Sequence, residues 1–366
     1  MRVLIIPDKF KGTLTAEAAA EAIARGWRTG RPGDTLDKLP MSDGGDGFGA
    51  LISRLLKAKI QTVKTVDAAH RPWKACWWWE PKSKTAIIES AKVIGLAMLP
   101  PGQFHPFDLD TCGLAAVLRA ASELGARRCL IGIGGSATND GGYGLARGLG
   151  WEFLDRNGHR IEQWTGLREL AVIRAPRKKR WFRELIVAGD VQNPLLGPKG
   201  ASRVYGPQKG LMEFELAEAA LGRLAAVTKK TFRNNYAIQP GAGAAGGLGF
   251  GLLAFAGGKL LPGFDLFASY AHLDEHLRTA DLVITGEGAI DRSTVMGKGA
   301  GQVAQRCREL KIPCIGFGGI VADEVRACRL FTEAHALTSL TTTAEAKAQP
   351  AVWLGRLASR ASQNLI

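Results

Sequence analysis

The apolar residues of this chain fall into short runs separated by stripes at helical spacing. Val3–Pro7 reads VLIIP, a run of strand length and composition. After the loop Asp8–Gly12, Thr15 stands where a helix N-cap is expected, with Glu17 in the first turn. Ala16, Ala19, Ala20, Ile23 and Trp27 then recur on one helical face. The same grammar returns at Thr111, predicted to cap a helix with the stripe Leu114, Val117, Leu118, Ala121 and Leu124 and a stop at Gly125. Buried strands are predicted at Cys129–Ile133, Leu185–Asp190, Asp281–Thr285, Pro313–Phe317 and Ala334–Thr338. Strands alternating with helices imply a parallel sheet covered on both faces.

Thr62–Met98 reads differently. Its alternation is broken, and it contains Trp77-Trp78-Trp79 and Thr85–Glu89 (TAIIE), which predicts an antiparallel meander with the tryptophans at its core and edge. The expected fold class is therefore α/β, with two α/β domains. One is a Rossmann- or flavodoxin-like parallel sheet built from the discontinuous segments 1–60, 105–142 and 278–366; the other is mixed α/β, from 61–104 and 143–277. A cleft between them is the expected place for a substrate.

Composition sharpens the picture at three points. The 46 glycines follow no fixed period and cluster between apolar runs, where a loop must approach a ligand or adopt positive φ. The six cysteines form no CxxC pair and are expected to be reduced, buried thiols. Neither a signal peptide nor an apolar run of membrane-spanning length is legible, so a cytoplasmic protein is expected. The net charge of +14 raises nucleic acid as a partner, but the longest basic cluster, Arg177–Arg180 followed by Trp181, has no recognisable nucleic-acid module around it. Attraction of anionic substrates accounts for the charge more simply.

The candidate chemistry lies in the loops after the strands, where ligands gather in doubly wound sheets. These loops are Asp8–Gly12, Ser42–Gly47 (SDGGDG), Gly134–Gly142 (GGSATNDGG), the stretch with Asp190, Asn193 and Pro194, and Gly286–Asp291. Each combines glycine with acidic, basic or hydroxyl groups. Phosphoryl transfer uses that mixture: amides and lysines neutralise phosphates, carboxylates hold Mg2+, and one carboxylate accepts the hydroxyl proton.

Competing motifs fit less well. No Walker A pattern is present, since Gly297-Lys298 is followed by Gly299. Gly241–Gly246 spells GxGxxG but follows no buried strand. Gly132–Ala137 spells GxGxxA after a predicted strand, with Asp155 at a suitable distance, so an NAD(P)-dependent dehydrogenase is the alternative function. His272-Leu-Asp-Glu275-His276 matches the inverted zinc-peptidase pattern without a clear third ligand.

Taken together, the loops resemble the class I glycerate kinase family. The matching segments include DKFKGTLTAEAAAEAI at 8–23, SDGGDG at 42–47, ESAKVIGL at 89–96, IGGSATNDGGYG at 133–144, GDVQNPLLGPKGAS at 189–202, YGPQKG at 205–210, PGAGAAGGLGFGLLA at 240–254 and LVITGEGAID at 282–291. They run in the family's order across most of the chain. Lys9 departs from the family's usual Ser, as do Ala289 and Arg292-Ser293-Thr294 from its usual residues. The resemblance implies ATP- and Mg2+-dependent phosphorylation of D-glycerate at its 2-hydroxyl, by a monomer or homodimer acting on small molecules without nucleic acid or membrane partners.

On residue chemistry and position in those segments, Asp190 is the expected base and Lys11 a catalytic or carboxylate-binding cation. Lys9, Lys209, Gly134, Gly135, Ser136, Thr138, Asn139, Asn193 and Glu287 are expected to bind substrate or phosphate. Asp43, Asp46, Asp140 and Asp291 form the pool for Mg2+ and ribose contacts.

Overall fold

The computed structural model describes every residue except 43, 46, 298, 323–329 and 365–366. The chain divides into two compact units, Met1–Asp43 with Phe264–Ile366, and Gly44–Gly263. The strands are β1 (Arg2–Pro7), β2 (Thr35–Lys38), β3 (Lys59–Val66), β4 (Pro72–Glu80), β5 (Thr85–Glu89), β6 (Arg128–Gly132), β7 (Glu152–Leu154), β8 (Val172–Arg174), β9 (Glu184–Ala188), β10 (Lys259–Leu261), β11 (Leu282–Ile290), β12 (Cys314–Val321) and β13 (Glu333–Ala336).

The first unit carries a parallel sheet in the order β13-β12-β11-β1-β2. Val3, Ile5, Leu282, Ile284, Ile315 and Phe317 are buried in it, as continuous apolar runs require of a sheet covered on both faces. The helix Ala16–Gly30 starts as expected, with Thr15 Oγ1 accepting from Ala18 N at 3.2 Å. It packs on the final helix Pro350–Asn364, with Ile23, Trp27, Leu354 and Leu357 in one core. The two backbones come very close at Gly26, where an added Cβ would lie 1.9 Å from Gly355 O.

The second unit holds a six-stranded sheet in the order β10-β9-β6-β5-β4-β3. β3, β4 and β5 form the expected antiparallel meander, and β5, β6, β9 and β10 continue it in parallel. The meander ends at Glu89, and Ala91–Ile94 is a short helix. Trp77 and Trp78 are buried and Trp79 half-buried. β7 and β8 pair as a separate hairpin.

The units differ from the expected seams. The segment 105–142 belongs to the mixed unit, because β6 pairs with β5 on one side and β9 on the other. Residues 44–60 join it as well, through the helix Phe48–Leu55 against β4 and β5. The return to the parallel unit comes earlier than expected, at Phe264. Thr111 is not a helix cap: its helix begins at Gly113 after Cys112, and its hydroxyl is used elsewhere.

Cys129, Cys307 and Cys314 are buried free thiols, Cys76 and Cys112 are half-buried, and Cys328 lies outside the described residues. No helix among the described residues is long and apolar enough to cross a membrane.

Gly26→Ala is expected to destabilise the chain by about 1–3 kcal/mol, because the new methyl overlaps a carbonyl on a packed helix. Denaturant unfolding of the purified variant measures this; unchanged stability would contradict the close helix contact.

Candidate active site

In the mixed unit, the ends of β5, β6 and β9 bring three glycine-bearing loops together. Gly44 has φ +90, and a Cβ there would lie 3.0 Å from Ala188 C at the end of β9. A Cβ on Gly134 would lie 2.6 Å from Gly45 Cα. Gly44 and Gly45 therefore rest directly against the ends of β9 and β6. Gly47 is tied down by Glu89, whose Oε1 accepts from Gly47 N at 2.9 Å. Glu89 is buried, and its Oε2 has no partner among the described residues.

The loop Gly134–Gly142 is held from below by buried polar groups. Asp140 is fully buried. Its Oδ2 accepts from Thr111 N at 3.0 Å, Thr111 Oγ1 at 2.7 Å and Gly144 N at 2.8 Å. Its Oδ1 accepts from Gly142 N at 3.2 Å. Burial, and then the nearby Asp110 charge, push the Asp140 carboxyl up to about 6, against the opposing pull of the Gly144 and Thr111 donors. The four donors around its two oxygens favour the ionised form, the state that accepts every one of these bonds. Asp110 also pairs with His70 Nε2 at 3.1 Å; that hydrogen bond raises the His70 pKa.

Lys209 is buried under the same loop, with Nζ donating to Thr138 O at 2.6 Å. Burial pulls its pKa down to about 7, against the attraction of Asp140. The segment 241–251 then closes on the loop almost backbone to backbone. A Cβ on Gly246 would lie 1.9 Å from Thr138 O, and one on Gly251 would lie 2.6 Å from Gly142 Cα. Gly141 N donates to Gly246 O at 3.0 Å. The glycines of GAGAAGG thus serve close packing.

Several expected phosphate and metal groups prove to be internal. Thr138 and Asn139 are fully buried, and Asn139 Nδ2 donates to Ser202 Oγ at 2.9 Å. Ser136 Oγ lies 3.1 Å from Thr138 Oγ1 and 3.2 Å from Ala245 O. The Asn193 side chain donates to Lys199 O at 2.8 Å and accepts from Tyr205 Oη at 2.6 Å, so it cross-ties its own loop. Asp140 is a loop staple, because donors already surround its oxygens. What the loop offers to a ligand is backbone. Gly134 is half-buried and Gly135 exposed, and neither amide has an acceptor among the described residues. Just past the end of β9, the strand paired with β6, Asp190 is half-buried, its Oδ1 held by Gly263 N at 2.8 Å.

In the parallel unit, Asp8 N donates to Gly286 O at 2.8 Å, which seats the loop after β1 beside β11. A Cβ on Gly299 would lie 3.2 Å from Asp8 Oδ2 and 3.7 Å from Glu287 Oε2, so both carboxylates border that glycine. Glu287 Oε1 accepts from Thr294 Oγ1 at 2.9 Å. Lys9 is half-buried and Lys11 exposed. Asp291, expected in the metal pool, caps the helix Arg292–Val295: its Oδ1 accepts from Ser293 N and Oγ, both at 2.7 Å. Asp43 and Asp46 lie outside the described residues. No cluster of three acidic, His or Cys ligands occurs among the described residues.

The dehydrogenase alternative fails on geometry. A dinucleotide fingerprint needs a helix opening directly after the glycine turn. Here β6 is followed by the Gly134–Gly142 loop, and the helix begins only at Tyr143. Asp155 sits in a turn, accepting from Asn157 N and His159 N. His272 and Glu275 lie on an exposed surface.

Comparison with known proteins agrees with this arrangement. Residues 3–365 match the glycerate kinase family. This chain belongs to that family. The kinase is 38% identical over 332 residues to the glycerate kinase of Bacillus subtilis strain 168, covering 89% of this chain and 87% of the relative. It is 37% identical over 331 residues to the glycerate 2-kinase of Escherichia coli K12, with the same coverage of both chains. The solved structure of a protein assigned as glycerate kinase 2 in Salmonella typhimurium LT2 superposes with a TM-score of 0.81 at 33% identity, covering 99% of this chain and 97% of that one.

Sequence reasoning missed Glu89, Asp110 and the true use of Thr111. Glu89 opens the matching segment ESAKVIGL, a polar residue at the end of an apolar strand, and that position was its signal. The partnership of Thr111 with Asp140 spans 29 positions and has no local signature.

Lys209 sets a pH dependence of stability. Its pKa is about 7 in the folded chain against an ordinary 10.5, so its contribution is fully present above 10.5 and is lost as pH falls toward 7. The stability difference between the kinase and Lys209→Met should therefore shift in favour of the wild type as pH rises from 7 toward 10.5. Urea unfolding across that range measures it, and a pH-independent difference would contradict the lowered pKa of the buried amine.

Proposed function

We propose that this kinase transfers the terminal phosphoryl group of ATP to the 2-hydroxyl of D-glycerate, giving 2-phosphoglycerate and ADP. The observation that carries the reading is the pair of unpartnered amides at Gly134 and Gly135, just after β6, with the carboxylate of Asp190 two residues past the end of the neighbouring strand β9. Amides fixed at the end of a strand suit a phosphate, because their dipoles need no reorganisation when charge develops. Bound Mg-ATP supplies the phosphoryl group and part of the charge neutralisation.

The chain's own residues do the rest. Gly134 and Gly135 donate to phosphate oxygens. Asp140 and Lys209 keep the loop in the shape that presents those amides. Asp190 accepts the proton of the glycerate hydroxyl, and the bond from Gly263 N fixes the orientation of its carboxylate. Mg2+ needs only one or two protein carboxylates besides phosphate oxygens. Asp140 and Asp291 are already engaged as loop staple and helix cap.

The name of the Escherichia coli relative, glycerate 2-kinase, favours the 2-position. Coupling to enolase tests it directly. Product made from ATP and D-glycerate should feed enolase without a mutase; a requirement for mutase would move the phosphate to the 3-position, and no turnover would remove the reading. Asp190→Asn keeps an acceptor oxygen for Gly263 N but loses the base. It should lower kcat by about 100- to 10,000-fold with unfolding unchanged, and near-normal turnover would sink the assignment.

A further inference from the structure

The mixed sheet has a concave feature at the end opposite the loops just described. A basin of about 800 Å3 opens at the starts of β6, β9 and β10, three neighbouring parallel strands. Arg127, Arg128, Arg180, Arg183 and Lys259 line it, and Glu184 is its only acidic residue. Glu184 is committed to Arg128, with Arg128 Nε at 2.6 Å. The side chains of Arg127, Arg180, Arg183 and Lys259 have no hydrogen-bond or ion-pair partner among the described residues.

The geometry around these cations is fixed. Arg183 N and Glu184 N both donate to Arg127 O, at 2.8 and 3.1 Å, which pins the segment 180–184 to the start of β6. Before it runs the basic tetrad Arg177–Arg180. That tetrad is tethered through Lys178, whose Nζ donates to Ser122 Oγ at 3.0 Å and lies 4.1 Å from the Trp181 ring centroid. Like charges gathered in one basin repel each other unless an anion joins them.

We propose that this basin binds a small molecule carrying a diphosphate group. The guanidinium fork matches phosphate oxygens in pairs, and four uncommitted cations match several negative charges better than one carboxylate. The volume is that of an ordinary small-molecule site. A single-stranded nucleic acid would need an aromatic platform for its bases. The half-buried ring of Trp181, next to Arg180 in the chain, is already covered by Lys178 and flanked by Arg119 at 5.9 Å. The site does not depend on the catalytic reading above. It sits on β6 and β9, whose other ends carry Gly134, Gly135 and Asp190.

Calorimetric titration with inorganic pyrophosphate tests the proposal. The full chain is used without Mg2+ and without nucleotide, alongside the double variant Arg180→Glu/Arg183→Glu, and the variant-sensitive part of the binding is what reports the basin. The wild type should bind pyrophosphate, and the double variant should bind it about tenfold more weakly or worse. Glycerate turnover should stay within about twofold, since neither residue is near the catalytic loops. Lys259→Gln, a milder change, should weaken binding without the charge reversal and covers the case of a poorly folded double variant. Equal affinity in wild type and variants would overturn the site, as would no pyrophosphate binding or binding only of a short RNA oligomer. A chain that binds pyrophosphate in this variant-sensitive way but does not phosphorylate glycerate would leave the basin standing and remove the catalytic reading.

Discussion

The buried carboxylate of Asp140 is the constraint on which the catalytic unit depends. It gathers the backbone of Thr111, Gly142 and Gly144 and the Thr111 hydroxyl around two oxygens. An ionised group without water costs several kcal/mol unless donors surround it, and about 1.5–3 kcal/mol is typical for each bond to a charge. That requirement ties the start of the helix after the loop to the segment before the preceding helix, two parts of the chain that share no strand pairing. Thr111 completes the arrangement by passing its oxygen on to Leu145 N at 2.8 Å. The loop between them has little freedom left.

Once this staple is in place, the glycine pattern acquires a physical reason. Gly142 must meet Gly251, and Gly246 must meet Thr138 O, at distances where any Cβ would overlap backbone. Lys209 fills the space beneath and satisfies the Thr138 carbonyl. The polar side chains of GGSATNDGG are therefore spent on holding the loop. Its exposed face is left to the amides of Gly134 and Gly135. The division of labour is between buried groups that fix a shape and bare backbone left open to a ligand.

Much of the fold was legible because it is written in local periodicity. The runs VLIIP, CLIGI, LIVAG and DLVIT became β1, β6, β9 and β11, and Thr15 caps its helix. β11 runs on past the expected end at Thr285 to Ile290, since GEGAI continues the pairing with β12. The domain seams were misread because the grammar of 105–142 fits either sheet, and only the pairing of β6 with β5 and β9 decides. The site was legible as a set of segments and much less so as roles. Asp140, Asn139, Thr138 and Lys209 have the residue types of ligand binders, but burial turns each inward, and half-buried Asn193 is taken up by bonds within its own loop. Burial of a polar side chain by a partner distant in sequence leaves no mark within its own segment.

Asp140 locks the loop Gly134–Gly142, and native-state hydrogen exchange reads that lock at its own atoms. The amides of Thr111, Gly142 and Gly144 should exchange only through opening of the whole mixed unit, with the same free energy as the amides of β6. Exchange of these three amides at rates typical of surface loops, while β6 stays protected, would contradict it.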